Sequence, residues 1–251
     1  MSRNKLLYRL INSVLLLMLL FCSVDASAQK NNISFNHLTV EDGLSQSSVL
    51  SIAQDSMGFM WFGTKDGLNK FNTQRFEVFK HDKNNNTSLS SSQNINYLLT
   101  DRKGNLWVAT HKGLNLYLPK SNSFKRFLHD PKDKNSISHN IIRNLFEDKK
   151  GNIWVGTDNG LNKLIGPDKF QRFYNSSVKG QGLAHSLIKA IYQDHNNVLW
   201  IATLKGVTSM KEEKRKYVFQ SYFHDPSNSA SLINNALSAI FEDQYHKLWI
   251  G

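Results

Sequence analysis

The chain has 251 residues, a formal net charge of +11, five tryptophans, fifteen phenylalanines and one cysteine. A chain of this length can bury a sizeable core, and a single cysteine excludes an internal disulfide framework. Its basic residues are scattered, with no block of five or more, so the charge reads as a general basic surface rather than a nucleic-acid tail.

The N-terminus reads as an export signal over 1–28. Arg3, Lys5 and Arg9 give a positive start, Leu10 to Val24 carries no charge, and Val14 to Cys22 is an unbroken apolar run. Ala26-Ser27-Ala28 is the small-residue pattern that signal peptidase cleaves, which makes Gln29 the expected mature start. A spanning helix needs about 20 apolar residues, which argues against an uncleaved anchor. Phe21 stands where lipid attachment at Cys22 would want a small residue. Cleavage removes the only cysteine, so stability must come from packing. Export also argues against nucleic acid as a partner and leaves an acidic polysaccharide or an anionic membrane surface as the alternatives.

Residues 29–251 are organised by a repeat. Trp61, Trp107, Trp154, Trp200 and Trp249 are spaced by 46, 47, 46 and 49 residues. Six residues before each stands an aspartate: Asp55, Asp101, Asp148, Asp194 and Asp243. Six residues after the first four stands a glycine: Gly67, Gly113, Gly160 and Gly206. In the first unit, Val49 to Gln54 predicts a strand. Asp55-Ser56-Met57-Gly58 then predicts a type I turn with Asp first and Gly fourth. Phe59 to Thr64 predicts a second strand with Trp61 on one face and Phe62 on the other. Gly67 predicts a tight turn at positive φ, followed by short strands at Leu68 to Phe71 and Phe76 to Phe79.

Gly104 and Gly151 repeat the turn glycine, while Asn197 and His246 replace it in the fourth and fifth units. Four strands in about 47 residues make one antiparallel blade, and stacking such sheets about an axis covers their faces. The expected fold is therefore all-β: an incomplete β-propeller of four full repeats and part of a fifth. Repeat cores are expected at about 44–79, 90–127, 136–173, 183–223 and 232–251. On this reading the tryptophans lie between blades and the aspartates cap turn amides. A chain stopping inside its fifth blade is expected to be the front of a longer protein or a truncated gene product.

The unit L-x-x-x-x-V/I-x-x-I/L-x-x-D-x-x-G-x-x-W-x-G/A-T-x-x-G-L resembles the two-component regulator propeller repeat. So do the opening, Phe35-Asn36-His37-Leu38-Thr39-Val40-Glu41-Asp42-Gly43-Leu44-Ser45, and the stretches Phe127-Leu128-His129-Asp130-Pro131 and Phe223-His224-Asp225-Pro226. The resemblance implies the front part of a periplasmic sensor region. Further blades, an immunoglobulin-like domain, a membrane helix and a histidine kinase would follow it. Bacteroides-type hybrid systems of this kind typically sense oligosaccharides and usually signal as dimers. None of the kinase parts is found in this sequence.

Antiparallel strands put alternate connections on one face, so the loop entering each repeat should lie beside the turn after each Gly/Ala-Thr. Nine residues before the aspartates stand Gln46, Ser92, His139, His185 and Asn234; four after the tryptophans stand Lys65, His111, Asp158 and Leu204. These mostly polar positions differ between repeats. Gln46, Ser92, His139, His185, Lys65, His111 and Asp158 are therefore the candidate ligand-binding residues, for a glycan or a partner domain, with ordinary loop variation as the competing explanation. The pairs His81-Asp82, His129-Asp130 and His224-Asp225 occupy equivalent places in separate repeats, which argues for loop capping rather than a metal site. No cofactor is expected. A propeller hydrolase or lyase is disfavoured, because sialidase-type turns space Asp and Gly by two residues rather than three and no catalytic set departs from the repeat. A structural or protein-interaction propeller, or a non-signalling remnant, is the alternative to a sensor.

Overall fold

Runs of β-branched and aromatic residues, punctuated by Asp-x-x-Gly and Thr-x-x-Gly, fold into eighteen strands among the described residues. The structure is a computed structural model and describes residues 33–178 and 180–251. The expected signal segment 1–28 lies outside the described residues. Leu38–Gly251 forms one compact unit, and the architecture below is that of this unit. Among the described residues no helix is long and apolar enough to cross a membrane.

Four sheets have four antiparallel strands each, paired in chain order. The first holds β1 (Val49–Gln54), β2 (Met60–Thr64), β3 (Gly67–Phe71) and β4 (Phe76–Phe79). The second holds β5 (Tyr97–Thr100), β6 (Leu106–Thr110), β7 (Gly113–Leu118) and β8 (Ser123–Phe127). The third runs through β9 (Ile142–Glu147), β10 (Ile153–Thr157), β11 (Gly160–Gly166) and β12 (Lys169–Phe173). The fourth has β13 (Ile188–Gln193), β14 (Leu199–Thr203), β15 (Gly206–Glu213) and β16 (Lys216–Tyr222). β17 (Ile240–Glu242) and β18 (Leu248–Ile250) form a two-stranded fifth. The first strands β1, β5, β9, β13 and β17 touch in succession, so the sheets stack as blades in chain order.

Period-two alternation aims each tryptophan at the following blade. Trp61 packs with Leu98, Tyr117 and Phe124 of the second blade, Trp107 with Ile153 and Phe170 of the third, and Trp154 with Leu199, Met210 and Phe219 of the fourth. These three indoles are buried. Trp200 meets the two-stranded fifth blade and is half-buried, in a cluster with Leu237, Ile240 and Ile250. Trp249, with no blade over it in this chain, is 62% exposed, so the interblade position expected for it is not reached here.

The aspartate does more than shape its turn. Its Oδ1 accepts backbone N–H groups, as from Lys150 and Asn152 to Asp148, both at 2.9 Å. Its Oδ2 accepts the indole N–H six residues on: 2.7 Å at Asp55–Trp61, 2.9 Å at Asp101–Trp107 and Asp148–Trp154, 2.8 Å at Asp194–Trp200 and 2.9 Å at Asp243–Trp249. The fourth turn residue has positive φ throughout: Gly58, Gly104 and Gly151, then Asn197 at 64° and His246 at 63°. Asparagine and histidine tolerate that region better than most side chains.

A second polar lock closes the opposite end of the first three blades. Thr157 Oγ1 donates to Gly160 O at 2.9 Å, Asn162 Nδ2 donates to Val155 O and Ser138 Oγ, and Asn162 Oδ1 accepts Ser138 N–H at 2.8 Å. Thr64, Asn69 and Ser45 repeat it, as do Thr110, Asn115 and Ser90. In the fourth blade Thr208 replaces the asparagine and accepts Ala184 N–H at 2.8 Å. Among the described residues no buried side-chain polar atom lacks a partner.

Replacing Trp154 by Ala should cost about 3–5 kcal/mol in denaturant unfolding. Replacing it by Phe, which keeps a ring but removes the indole donor to Asp148 Oδ2, should cost about 1–3 kcal/mol. Burial opposes ionisation of Asp148, yet the hydrogen bonds from Trp154, Asn152 and the Lys150 backbone outweigh it and hold its carboxyl below the usual range. A pKa lower in the folded than in the unfolded state gives stability that is complete above about pH 4 and lost as pH falls through the folded value. Asp148→Asn should therefore lose less stability than the parent between neutral pH and pH 3, measured by chemical denaturation.

Candidate functional site

The entrance loops and the β2–β3-type turns do share one face, because they bond to each other. Lys65 N–H reaches Ser48 O, Asp158 N–H reaches Ile141 O and Leu204 N–H reaches Leu187 O, at 3.2, 3.2 and 3.3 Å. Within the entrance loops the varied residues have a common task. Each accepts the backbone N–H two residues on: His139 Nδ1 from Ile141 at 3.1 Å, His185 Nδ1 from Leu187 at 3.1 Å, Asn234 from Ala236 at 2.8 Å, and Gln46 from Ser48. In the second blade that acceptor is Ser91, bonded to Gln93 N–H at 3.0 Å. Counting nine residues back from Asp101 lands on Ser92, one position too late, because this loop carries an extra residue before β5.

Ser92 instead accepts His81 N–H at 2.7 Å, the place filled by Asn140 against His129 and Asn235 against His224. The three histidines His81, His129 and His224 each donate Nδ1–H to a carbonyl in their own loop, at Leu89, Ile137 and Leu232. Since Nδ1 of His139 and His185 accepts, the Nε2–H of each remains available as a donor.

Two of the turn residues converge. Arg143, on the third blade's first strand, makes a two-pronged bond to Asp158, Nε to Oδ1 at 2.6 Å and the guanidinium NH2 to Oδ2 at 3.0 Å. His111, from the second blade's turn, lies beside this pair, and its Nδ1 faces Asn94 Nδ2 at 3.4 Å. Burial and the Arg143 charge push the His111 imidazole below its ordinary value, Asp158 only partly offsetting them. Arg143 itself is raised, chiefly by its bonds to Asp158 against the effect of burial. The result is a neutral imidazole, an amide and a fixed guanidinium–carboxylate fork on one half-buried patch. Lys65 and Leu204 are exposed, and Lys65 O accepts the Asn94 N–H at 3.1 Å.

Arg143 was not among the residues singled out from sequence. The signal for it is positional. Ile52, Leu98, Leu145 and Ile191 pair with the residue after each tryptophan. Two residues earlier stand Leu50, Asn96, Arg143 and Lys189, a fixed place where the residue type changes from blade to blade. Asn96 also crosses to the third blade, donating to Ile142 O at 2.7 Å. With Arg143→Met the imidazole of His111 loses its cationic neighbour. Its pKa should rise, and an NMR titration of the ring protons should show it.

Residues 43–66, 88–112, 136–159 and 182–205 match the two component regulator propeller repeat. A stretch of 70 residues is 44% identical to histidine kinase P4 of Formosa agariphila, covering 28% of this chain and 5% of that protein. Among solved structures, the chain resembles the extracellular domain of a hybrid two-component system from B. thetaiotaomicron. Identity there is 25% and TM-score 0.56, over 86% of this chain and 40% of that one. The extracellular domain of a second such system from the same organism aligns at 22% identity and TM-score 0.66, over 81% and 26% respectively, which speaks to the fold alone. The chain spans less than half the length of each of these relatives.

Proposed function

We propose that this chain, four of whose segments match the two component regulator propeller repeat, is the ligand-sensing part of a receptor, exported to the periplasm. The likeness to the extracellular domain of a hybrid two-component system carries this reading. In it, residues 1–28 direct export, the remaining blades and the signalling domains belong to a longer parent protein, and the phosphorelay chemistry is theirs. Sensors of this type usually work as pairs, and a homodimer is part of the proposal. The propeller region itself acts by binding rather than by catalysis.

The ligand class we propose is an oligosaccharide. A guanidinium–carboxylate fork beside a neutral imidazole and an amide offers fixed donors and acceptors close together, which suits paired sugar hydroxyls. His111, Asn94, Arg143 and Asp158 supply that patch. On the same face, His139 and His185 are turn formers whose Nε2–H can donate.

The test is calorimetric titration of the complete exported region with a panel of neutral and acidic oligosaccharides. Arg143→Ala and Asp158→Ala should each weaken the sugar that binds by about ten- to hundredfold. His139→Asn, which keeps a turn acceptor, should change affinity by much less. Equal affinity in all three variants would remove the patch from consideration. Binding of a protein domain but of no sugar would favour the interaction-propeller alternative.

A further inference from the structure

The turns at the opposite end of the blades form a series of junctions, one between each pair of neighbours. Three positions recur at each: the residue after the repeat aspartate in one blade, and in the next blade the last residue of the first strand and the fourth turn residue. Between blades one and two these are Ser56, Thr100 and Gly104, and a Cβ built on Gly104 would stand 2.9 Å from Ser56 Oγ. Between two and three they are Arg102, Glu147 and Gly151, with Arg102 Nε 3.1 Å from Glu147 Oε1. Between three and four they are Lys149, Gln193 and Asn197, with Lys149 N–H on Gln193 Oε1 at 2.7 Å. Between four and five they become His195, Glu242 and His246.

Only this last junction carries three groups that ligate metals. We propose that His195, Glu242 and His246 form a site for a divalent late-transition-metal ion such as zinc, fastening the fourth blade to the fifth. The three ligand atoms lie within 4.8 Å of one another. Both imidazoles turn Nδ1 toward Glu242 Oε1: His195 bonds it directly, and His246 Nδ1 stands 3.7 Å away. The rings stack with centroids 3.9 Å apart. The second carboxylate oxygen is already occupied, since Oε2 accepts His195 N–H at 2.9 Å. This is the arrangement in which a backbone donor orients a ligating carboxylate and leaves one oxygen for the ion.

Glu242 is fixed, with a side chain only 7% exposed, whereas the imidazoles lie outside it at 39% and 60%. Zinc–nitrogen bonds of about 2.0–2.1 Å require ligand atoms somewhat over 3 Å apart, which exposed imidazoles reach by small rotations about χ1 and χ2. Two imidazoles and one carboxylate favour zinc, nickel or copper over calcium and magnesium, which take oxygen sets. A fourth position, open to solvent, would hold water. The positive φ of His246, at a place where three of the other four turns use glycine, sets its side chain toward the preceding blade.

The full chain, stripped by a chelator, is titrated with zinc chloride alone against a chromogenic zinc indicator. The variant His195→Arg/His246→Gly writes the Arg–Glu–Gly junction of blades two and three into blades four and five, so it preserves a junction this fold already accepts. The parent should bind one zinc per chain at this site and gain thermal stability from it. The double variant should bind zinc more than about tenfold more weakly, keep its metal-free melting temperature and lose the zinc-dependent gain. His129→Gln, at a histidine outside the junction, should leave zinc binding intact. Unchanged affinity in the double variant, or competition by calcium as strong as zinc itself, would overturn the assignment.

Discussion

Between two stacked sheets an indole N–H has no water to bond, and leaving it unpaired would cost about 1–3 kcal/mol. Here a carboxylate from the turn six residues earlier meets it in every repeat. The same carboxylate holds the turn amides with its other oxygen, so one group fixes the turn, the rotamer of the large ring and the face toward which that ring points. Everything else in the stack follows from that orientation. The ring fills the interval to the next blade, whose own carboxylate then presents the next ring.

The threonine–asparagine–serine lock does the corresponding work at the other end. It buries several polar side chains completely, yet leaves none without a partner among the described residues. The strands between the two locks are only about five residues long, and both ends are held by side-chain bonds. Variation is thereby confined to the loops outside the locks, where the Arg143–Asp158 fork lies at one end and the interblade junctions at the other. A repeating scaffold with fixed ends can present different chemistry at each blade without changing its packing.

Much of this was legible from residue spacing. The Asp–Trp–Gly period set the blade count, and the strands of the first unit fall at or within one residue of where alternation and turn chemistry put them. The asparagine lock was equally periodic, eight residues after the first three tryptophans at Asn69, Asn115 and Asn162, but asparagine on a strand suggests solvent until its partners are seen. Loop residues were less legible because counting assumes equal loops. One extra residue moved the turn acceptor from Ser92 to Ser91. Arg143 bonds Asp158 of its own repeat but meets His111 of the preceding one, and His195 joins Glu242 and His246 across two repeats. A register within one repeat does not reveal such cross-repeat neighbours. The sequence trace of the histidine pair is departure from the pattern: His195 stands where the earlier repeats have serine, arginine and lysine, and His246 where they have glycine or asparagine.

The linkers that join the blades have a consequence for how such a chain grows. Arg126, on the outermost strand of the second blade, grips the linker that precedes that blade, at Ser88 O and Asn85 O; Arg172 grips Ser136 O and Asp133 O in the third. Each arginine sits opposite the lock asparagine, Asn115 or Asn162. In the fourth blade the linker lacks the His-Asp motif, and both partners differ, Thr208 facing Ser221. Linker, third strand and outermost strand thus change together. The piece of sequence that can be duplicated or exchanged without breaking contacts therefore begins at the linker, near His81 or His129, and ends at the outermost strand. Recombination that cut at the start of each sheet would separate an arginine from the loop it holds. Cuts just before the His-Asp motif would move intact cassettes, each bringing its own clasp.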